Sequence, residues 1–115
     1  MDIDSRKSGD VLVLDFDGKL TISAGSVAHD AIAQALADGE KKILLDMEGV
    51  SVMDSSGVGE LMASYASAKS RGATLKILKL APRVGEVLKV TQLIGFFEVF
   101  DDEKLALASF RQAPH

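Results

Sequence analysis

Short apolar runs alternate along the chain with segments of helical periodicity. Residues 11–16, 42–47 and 74–80 form three such runs, and the first of them stops at Asp17-Gly18. Runs of this length are typical of strands that are buried on both faces. Ile3 begins an earlier predicted strand, and residues 7–10 (Lys-Ser-Gly-Asp) form the turn of a hairpin that joins it to the first run.

The segments between the runs carry residues at helical spacing that would share one face of a helix, most of them apolar. These positions are Ala28, Ile32, Ala35 and Leu36, then Val58, Leu61, Met62 and Tyr65, then Val84, Val87, Leu88 and Thr91. Gly39, Gly72 and Gly95 follow where the helices are expected to end, and Pro82 suits a first helical turn. Residues 96–100 resemble a short last strand and residues 103–110 a closing helix.

This alternation predicts an α/β fold whose strands are mostly parallel and joined by right-handed crossovers. A length of 115 residues suits one domain over residues 1–115. Residues from about 111 onward are expected to form a loose tail. We find no internal linker and no low-complexity stretch.

Composition excludes several classes of function. The net charge of −4 argues against a nucleic-acid partner, and the absence of cysteine removes disulfides, thiol nucleophiles and thiolate metal sites. No apolar run approaches the ~18 residues of a membrane span, and the first residues have no signal-peptide pattern. We therefore expect a cytoplasmic protein without a membrane partner. With 5% aromatic residues, the core must consist mainly of aliphatic side chains.

The segment from Glu48 to Glu60 follows the second apolar run and opens the most regular predicted helix. Its polar side chains are Ser51, Asp54, Ser55, Ser56 and Glu60. Polar groups that follow a parallel strand gather at the carboxyl edge of the sheet, where binding sites form. Asp54 or Ser55 can cap the helix. Gly57 and Gly59 are poor helix formers, which suggests a close approach to this backbone.

A phosphate on Ser55 would stand at a helix N-terminus, where free N–H groups and the helix dipole favour negative charge. It would bring ~1.5–2 negative charges and three acceptor oxygens beside Asp54. We therefore expect such a modification to act on a docking partner and to leave the fold intact.

Residues 43–59 (ILLDMEGVSVMDSSGVG) resemble the STAS family of anti-sigma-factor antagonists and their relatives, and residues 72–75 and 87–93 are also similar. The resemblance implies a mixed sheet with its helices largely on one face. It implies that Ser55 matches the phosphorylated serine, with Ser56 as the alternate. It also implies an anti-sigma serine kinase and a serine phosphatase as partners, with no catalytic residue, cofactor or metal.

The predicted partner surface comprises Asp54, Ser55, Ser56, Gly57, Gly59 and Glu60, together with Thr21 and Ser23 in the neighbouring loop. Thr21 and Ser23 are also candidates for secondary phosphorylation. Glu60, Ser64 and Ser67 are expected on the exposed face of the helix. The family often has Gly-Glu-Leu-Asp where this chain has Gly18-Lys19-Leu20-Thr21, a departure that affects the identity of the partner.

Two other functions remain open. A constitutive scaffold, or a subunit of a stressosome-like or lipid-transport complex, would use the same surface unmodified. An enzyme is disfavoured, because the sequence places neither His29 nor His115 beside Ser55 as a general base. A carboxylate cluster of Asp15, Asp17 and Asp46 is the remaining enzymatic candidate. Both a monomer and a weak dimer are compatible with the sequence.

Overall fold

The sheet of this protein has five strands in the order β1-β2-β3-β4-β5, as seen in a computed structural model that describes residues 1–111. Its strands are β1 (Asp2–Ser8), β2 (Val11–Leu20), β3 (Lys42–Met53), β4 (Thr74–Leu78) and β5 (Val99–Phe100). The helices are α1 (Val27–Ala37), α2 (Ser55–Ser70), α3 (Pro82–Val90) and α4 (Glu103–Ser109). Two 3-10 turns, Ile22–Ala24 and Ile94–Phe96, complete the elements.

Strand pairing confirms the predicted mixed sheet. β1 and β2 form an antiparallel hairpin, in which Ser8 pairs with Val11 around Gly9. β2, β3, β4 and β5 are mutually parallel. This is the arrangement expected of a hairpin followed by strand–helix alternations.

The helices lie on both faces of the sheet, but unequally. The main core lies between the sheet and α1, α2 and α3, where Ile32, Leu45, Met47, Leu61 and Leu88 are fully buried. On the opposite face α4 is the one described helix that covers the sheet, and its Ala106 and the following Phe110 belong to a small second cluster. The prediction that helices are largely on one face is confirmed.

Several element boundaries differ from the predicted ones. β2 continues through the predicted stop at Asp17-Gly18 and ends at Leu20. β3 continues to Met53, so that Ser51 lies in a strand and the connection to α2 is Asp54 alone. α3 ends at Val90, earlier than the predicted end at Gly95. The left-handed residue that follows the helix is Gln92 (φ 61°), and Gly95 lies in a 3-10 turn. Only Val99 and Phe100 of residues 96–100 pair as a strand. Of the predicted tail, residues 112–115 lie outside the described part of the chain.

Arg6 holds α4 to the hairpin. Its guanidinium donates to Glu103 at 2.7 and 2.9 Å and to Asp15 at 2.9 Å. The hydrogen bonds to Arg6 lower the pKa of Glu103. Burial, together with the nearby Asp15 carboxyl, raises the pKa of Asp46, which lies 3.8 Å from the same guanidinium. Asp17 does not join this group, so the predicted cluster of three carboxylates is incomplete and is centred on an arginine.

Replacing Glu103 by Gln tests this contact. Because the pKa of Glu103 is lowered in the folded state, its contribution to stability is complete above its ordinary pKa and is lost as the pH falls through the lowered value. We expect E103Q to lower the free energy of unfolding at pH 7 by at most about 1 kcal/mol, since the pair is partly exposed. The deficit should begin to shrink below about pH 4, where the unfolded-state glutamate takes up a proton, and should close once the pH has fallen through the lowered folded-state pKa.

Urea unfolding at both pH values measures this effect. E86Q, on the exposed surface of α3, is the control and should show no pH-dependent deficit. A deficit for E103Q that persists unchanged at acidic pH would contradict the assigned role of the ion pair.

Candidate functional site

The Asp54 carboxylate organises the junction between β3 and α2. Asp54 is the N-cap of α2, and its Oδ1 accepts the N–H groups of Ser56 at 2.9 Å and Gly57 at 3.1 Å. Its Oδ2 accepts the N–H group of Ile22 at 3.1 Å. Desolvation acts to raise the pKa of Asp54, but the three N–H groups outweigh it and hold that pKa below its ordinary value. The carboxylate therefore joins the helix to the loop that follows β2.

The hydroxyl side chain of Ser55 lies at the surface. Ser55 is the first residue of α2 and is exposed, whereas Ser56 is half-buried. The N–H groups of Ser56 and Gly57 are already bound to Asp54. The expectation that these N–H groups are free to receive a phosphate is therefore wrong, and a phosphate on Ser55 would extend into solvent.

The loop after β2 forms the second part of the site. Its 3-10 turn brings the hydroxyls of Thr21 and Ser23 within 2.9 Å of each other. The backbone N–H of Asp54 donates to the carbonyl of Leu20 at 3.3 Å, so this loop and the start of α2 are joined twice. Thr21 and Ser23 are thus beside the Asp54–Gly57 segment, as predicted, although they lie more than thirty residues away in the sequence.

Ile22 is a surface residue that the sequence pattern did not identify. Its side chain is 77% exposed, although its backbone is fixed by Asp54. A large apolar side chain held rigidly at the surface is a typical anchor for a protein partner. A signal existed in the sequence, because a lone isoleucine between Thr21 and Ser23 belongs to no apolar stripe.

The two glycines of the first turns of α2 differ in their surroundings. A Cβ atom at Gly57 would collide with the carbonyl oxygen of Leu20 and stand 2.7 Å from Cγ of Met53. A Cβ atom at Gly59 would meet nothing within 4 Å. The close approach inferred from these glycines is therefore made by the protein's own β2 at Gly57, while Gly59 is open to solvent.

The exposed face of α2 is not the predicted one. Ser64 is fully buried and donates to the carbonyl of Glu60 at 2.8 Å, and Ser67 is half-buried. Glu60 is turned toward α1, where Oε1 accepts the backbone N–H of His29 at 3.0 Å and the buried Oε2 has no hydrogen-bond partner. The expectation that these three residues are exposed is wrong. The exposed stripe of α2 consists of small residues: Ser55, Gly59, Ala63 and Ala66.

The other chemical candidates do not join this surface. The hydrogen bond of His29 uses its backbone, and no described hydrogen bond connects His29 to Ser55. His115 lies outside the described residues. Among residues 1–111 no group of three or more histidine, aspartate and glutamate side chains is placed to hold a metal ion, and none of the described helices has the length and hydropathy needed to cross a bilayer.

Comparisons with known proteins agree with this geometry. The family model described as the STAS domain matches residues 2–106. The chain is 24% identical to the anti-sigma F factor antagonist of Paenibacillus polymyxa over 84% of each protein. It is 26% identical to the anti-sigma-B factor antagonist of Staphylococcus aureus, over 71% of this chain and 76% of that protein.

Two solved structures show the same fold. An anti-sigma factor antagonist from Mycobacterium paratuberculosis superposes with a TM-score of 0.85 at 19% identity, covering 96% of this chain and 94% of that one. The Bacillus cell fate determinant SpoIIAA, in its phosphorylated form, superposes with a TM-score of 0.73 at 22% identity, covering 96% of this chain and all of that one.

Substitution of the two glycines by alanine separates packing from helix propensity. We expect G57A to lower the free energy of unfolding by about 2 kcal/mol or more, because the backbone of β2 must move. G59A should be neutral or raise it by up to about 1 kcal/mol, since alanine favours the helix. Urea unfolding of both variants measures the difference. Equal effects of the two substitutions would contradict the close packing assigned to Gly57.

Replacing Asp54 by Asn tests the link to Ile22. One amide oxygen can still accept the Ser56 and Gly57 N–H groups, but the amide nitrogen cannot accept from Ile22. We expect hydrogen exchange of the Ile22 amide to accelerate by about tenfold or more, while the first-turn amides of α2 stay protected. D102N is the control, because Asp102 caps α4 through one oxygen alone. An unchanged exchange rate at Ile22 in D54N would refute the link.

Proposed function

The chain belongs to the STAS domain family, and from this premise we propose that it is an anti-sigma-factor antagonist, a binding module whose docking surface is switched off by phosphorylation of Ser55. Its curated relatives from Paenibacillus and Staphylococcus are named as antagonists of anti-sigma factors. The proposed partner is an anti-sigma factor with serine kinase activity. A serine phosphatase in the same cytoplasm would reverse the modification.

The observation that carries the proposal is the exposed Ser55 on a rigid frame. The serine stands at the surface, while Asp54 fixes both the helix beneath it and the loop of Ile22 beside it. A partner that covers Ser55 would therefore also meet Ile22 and the small-residue stripe of α2. Small side chains at Gly59 and Ala63 permit close approach, and Ile22 supplies apolar area.

In the proposed modification the Ser55 hydroxyl oxygen bonds to the γ-phosphorus of ATP, its proton is released, and ADP leaves. The phosphate adds ~1.5–2 negative charges next to the ionised Asp54 carboxylate. Within a closed interface this charge would be desolvated beside the Asp54 carboxylate, which strongly disfavours docking. The fold tolerates it because the hydroxyl faces solvent and the helix dipole is favourable there.

In this proposal the partner kinase catalyses the phosphoryl transfer. On this proposal the chain has no catalytic residue, and Ser55 is a substrate position. The solved relative SpoIIAA is known in an unphosphorylated and a phosphorylated form.

Charge substitution at Ser55 provides the test. We expect S55A to bind the anti-sigma factor within about twofold of the unmodified protein, because Asp54 and not Ser55 caps the helix. S55D should weaken binding by about tenfold or more, owing to the buried negative charge. S70D makes the same substitution at the other end of α2, outside the small-residue stripe and roughly 22 Å further along the helix axis, and serves as the control. Titration calorimetry gives the dissociation constants.

Mass spectrometry after incubation with ATP and the kinase should locate one phosphate on Ser55 or, alternatively, Ser56. A phosphate found on neither serine would overturn the switch. If S55A and S55D bind alike, the surface is used constitutively, as in a scaffold or complex subunit.

A further inference from the structure

An open groove runs between β1 and α1, on the same face of the sheet as the main core. It measures about 570 Å³ and lies on the side of the molecule formed by the hairpin. Its floor and walls include Ile3, Leu12, Val27 and Ala31, all of which are half-buried. Apolar side chains in this state keep part of their surface in water, so covering them releases free energy.

The groove marks a gap in the layer of helices. α1, α2 and α3 cover β2, β3 and β4 on this face, whereas β1 extends the sheet by one strand that none of the described helices covers. β1 has only β2 as a neighbour, so its outer edge is free among the described residues. A helix lying beside α1 would complete the layer, as adjacent elements do in α/β domains.

One face of α1 is directed into the groove. Val27, Asp30, Ala31, Gln34 and Asp38 line it at the spacing i, i+3, i+4, i+7 and i+11, which is a single side of a helix. It adjoins the buried stripe that packs on the sheet, because the buried Ala35 also lines the groove. The small Ala31 at its centre allows a neighbouring backbone to come close.

The rim of the groove is acidic. Asp30 accepts a hydrogen bond from Ser26, and Asp38 accepts one from Gln34, but no ion pair joins either carboxylate within residues 1–111. Glu40 also lines the groove and is paired with Lys7 at 2.7 Å. Two uncompensated carboxylates thus flank an apolar floor, and this combination favours a ligand with both apolar and cationic groups.

From this combination we infer that the β1–α1 groove docks a basic amphipathic helix of a protein partner. Its apolar side chains lie on Ile3, Leu12 and Val27, and its lysines or arginines face Asp30 and Asp38. The groove follows α1, whose eleven residues span about 16 Å, so two to three turns of a partner helix fit its length. Recognition by apolar anchors at i, i+3 or i+4, and i+7 is a common mode for such grooves.

The inference is independent of the Ser55 switch. α1 contacts α2 through His29 and Glu60, which do not line the groove. A helix seated beside β1 would leave the Ile22–Ser55 surface free. The chain could therefore bind one partner in the groove while a second partner binds the surface around Ser55.

The probe is a synthetic peptide of about 14 residues, with leucines at helical spacing and lysines between them. It is titrated into the ¹⁵N-labelled full chain, and amide chemical shifts are recorded. We expect shifts confined to residues 3–14 and 27–40, and a dissociation constant that rises with salt. The matched peptide with glutamate at every lysine should bind at least about tenfold more weakly.

Variants of the groove sharpen the test. A31R places a bulky cation in the centre of the groove, and D30N/D38N removes the rim charge; each should weaken binding by about fivefold or more. E86Q on α3 and S55D at the switch should bind as the unmodified chain does. Dispersed amide spectra confirm that each variant is folded.

Several results would overturn the inference. These are equal binding of the lysine and glutamate peptides, shifts centred on another surface, and no shift at about 1 mM peptide. Shifts of the groove residues that depend on protein concentration without peptide would assign the groove to a second copy of this chain. If S55D abolishes binding of the peptide, the peptide binds to the surface around Ser55 and not in the groove. None of the other results would affect the proposal for Ser55.

Discussion

The carboxylate of Asp54 is the interaction on which the candidate site depends. Its two oxygens accept N–H groups from both ends of the site, namely Ile22 in the loop after β2 and Ser56 and Gly57 in the first turn of α2. Without an acceptor at this position, polar N–H groups from two elements would be left unpaired at a partly buried junction. Because Asp54 supplies the cap, the Ser55 hydroxyl is not needed to cap the helix. It therefore remains available at the surface.

Periodicity was sufficient to predict the fold but not the outward face of α2. The apolar runs correctly located β2, β3 and β4, because a buried strand must be apolar wherever helices cover it. The pattern failed at Ser64, since a serine that donates to a carbonyl one turn earlier can be buried in a helix with its hydroxyl paired. It also failed at Glu60, whose carboxylate accepts an N–H group from α1. Such long-range partners cannot be derived from the spacing of residues within one helix.

The site was partly predictable for a similar reason. Asp54, Ser55 and Gly57 are contiguous, and their capping chemistry is local, so the turn could be recognised from its residues alone. The contribution of Ile22 could not be predicted from the sequence, because it depends on β2 running parallel to β3 and ending at the same edge of the sheet. The two glycines show the same division. Gly57 is required by a tertiary contact with Leu20, whereas Gly59 has no neighbour and is distinguished only by its exposure.

The N–H groups at the start of α2 are already hydrogen-bonded, and this determines how a phosphate on Ser55 could act. If these groups were free, a phosphate could bind back to the helix, and its charge would be largely neutralised within the molecule. Because Asp54 already accepts the N–H groups of Ser56 and Gly57, the charge of a phosphate on Ser55 would stand beside an existing carboxylate and face solvent. Its energetic cost is therefore small while the surface is in water and becomes large only when a partner removes that water. A modification of this kind changes affinity and leaves the folded structure intact, which is the property that a reversible docking surface requires.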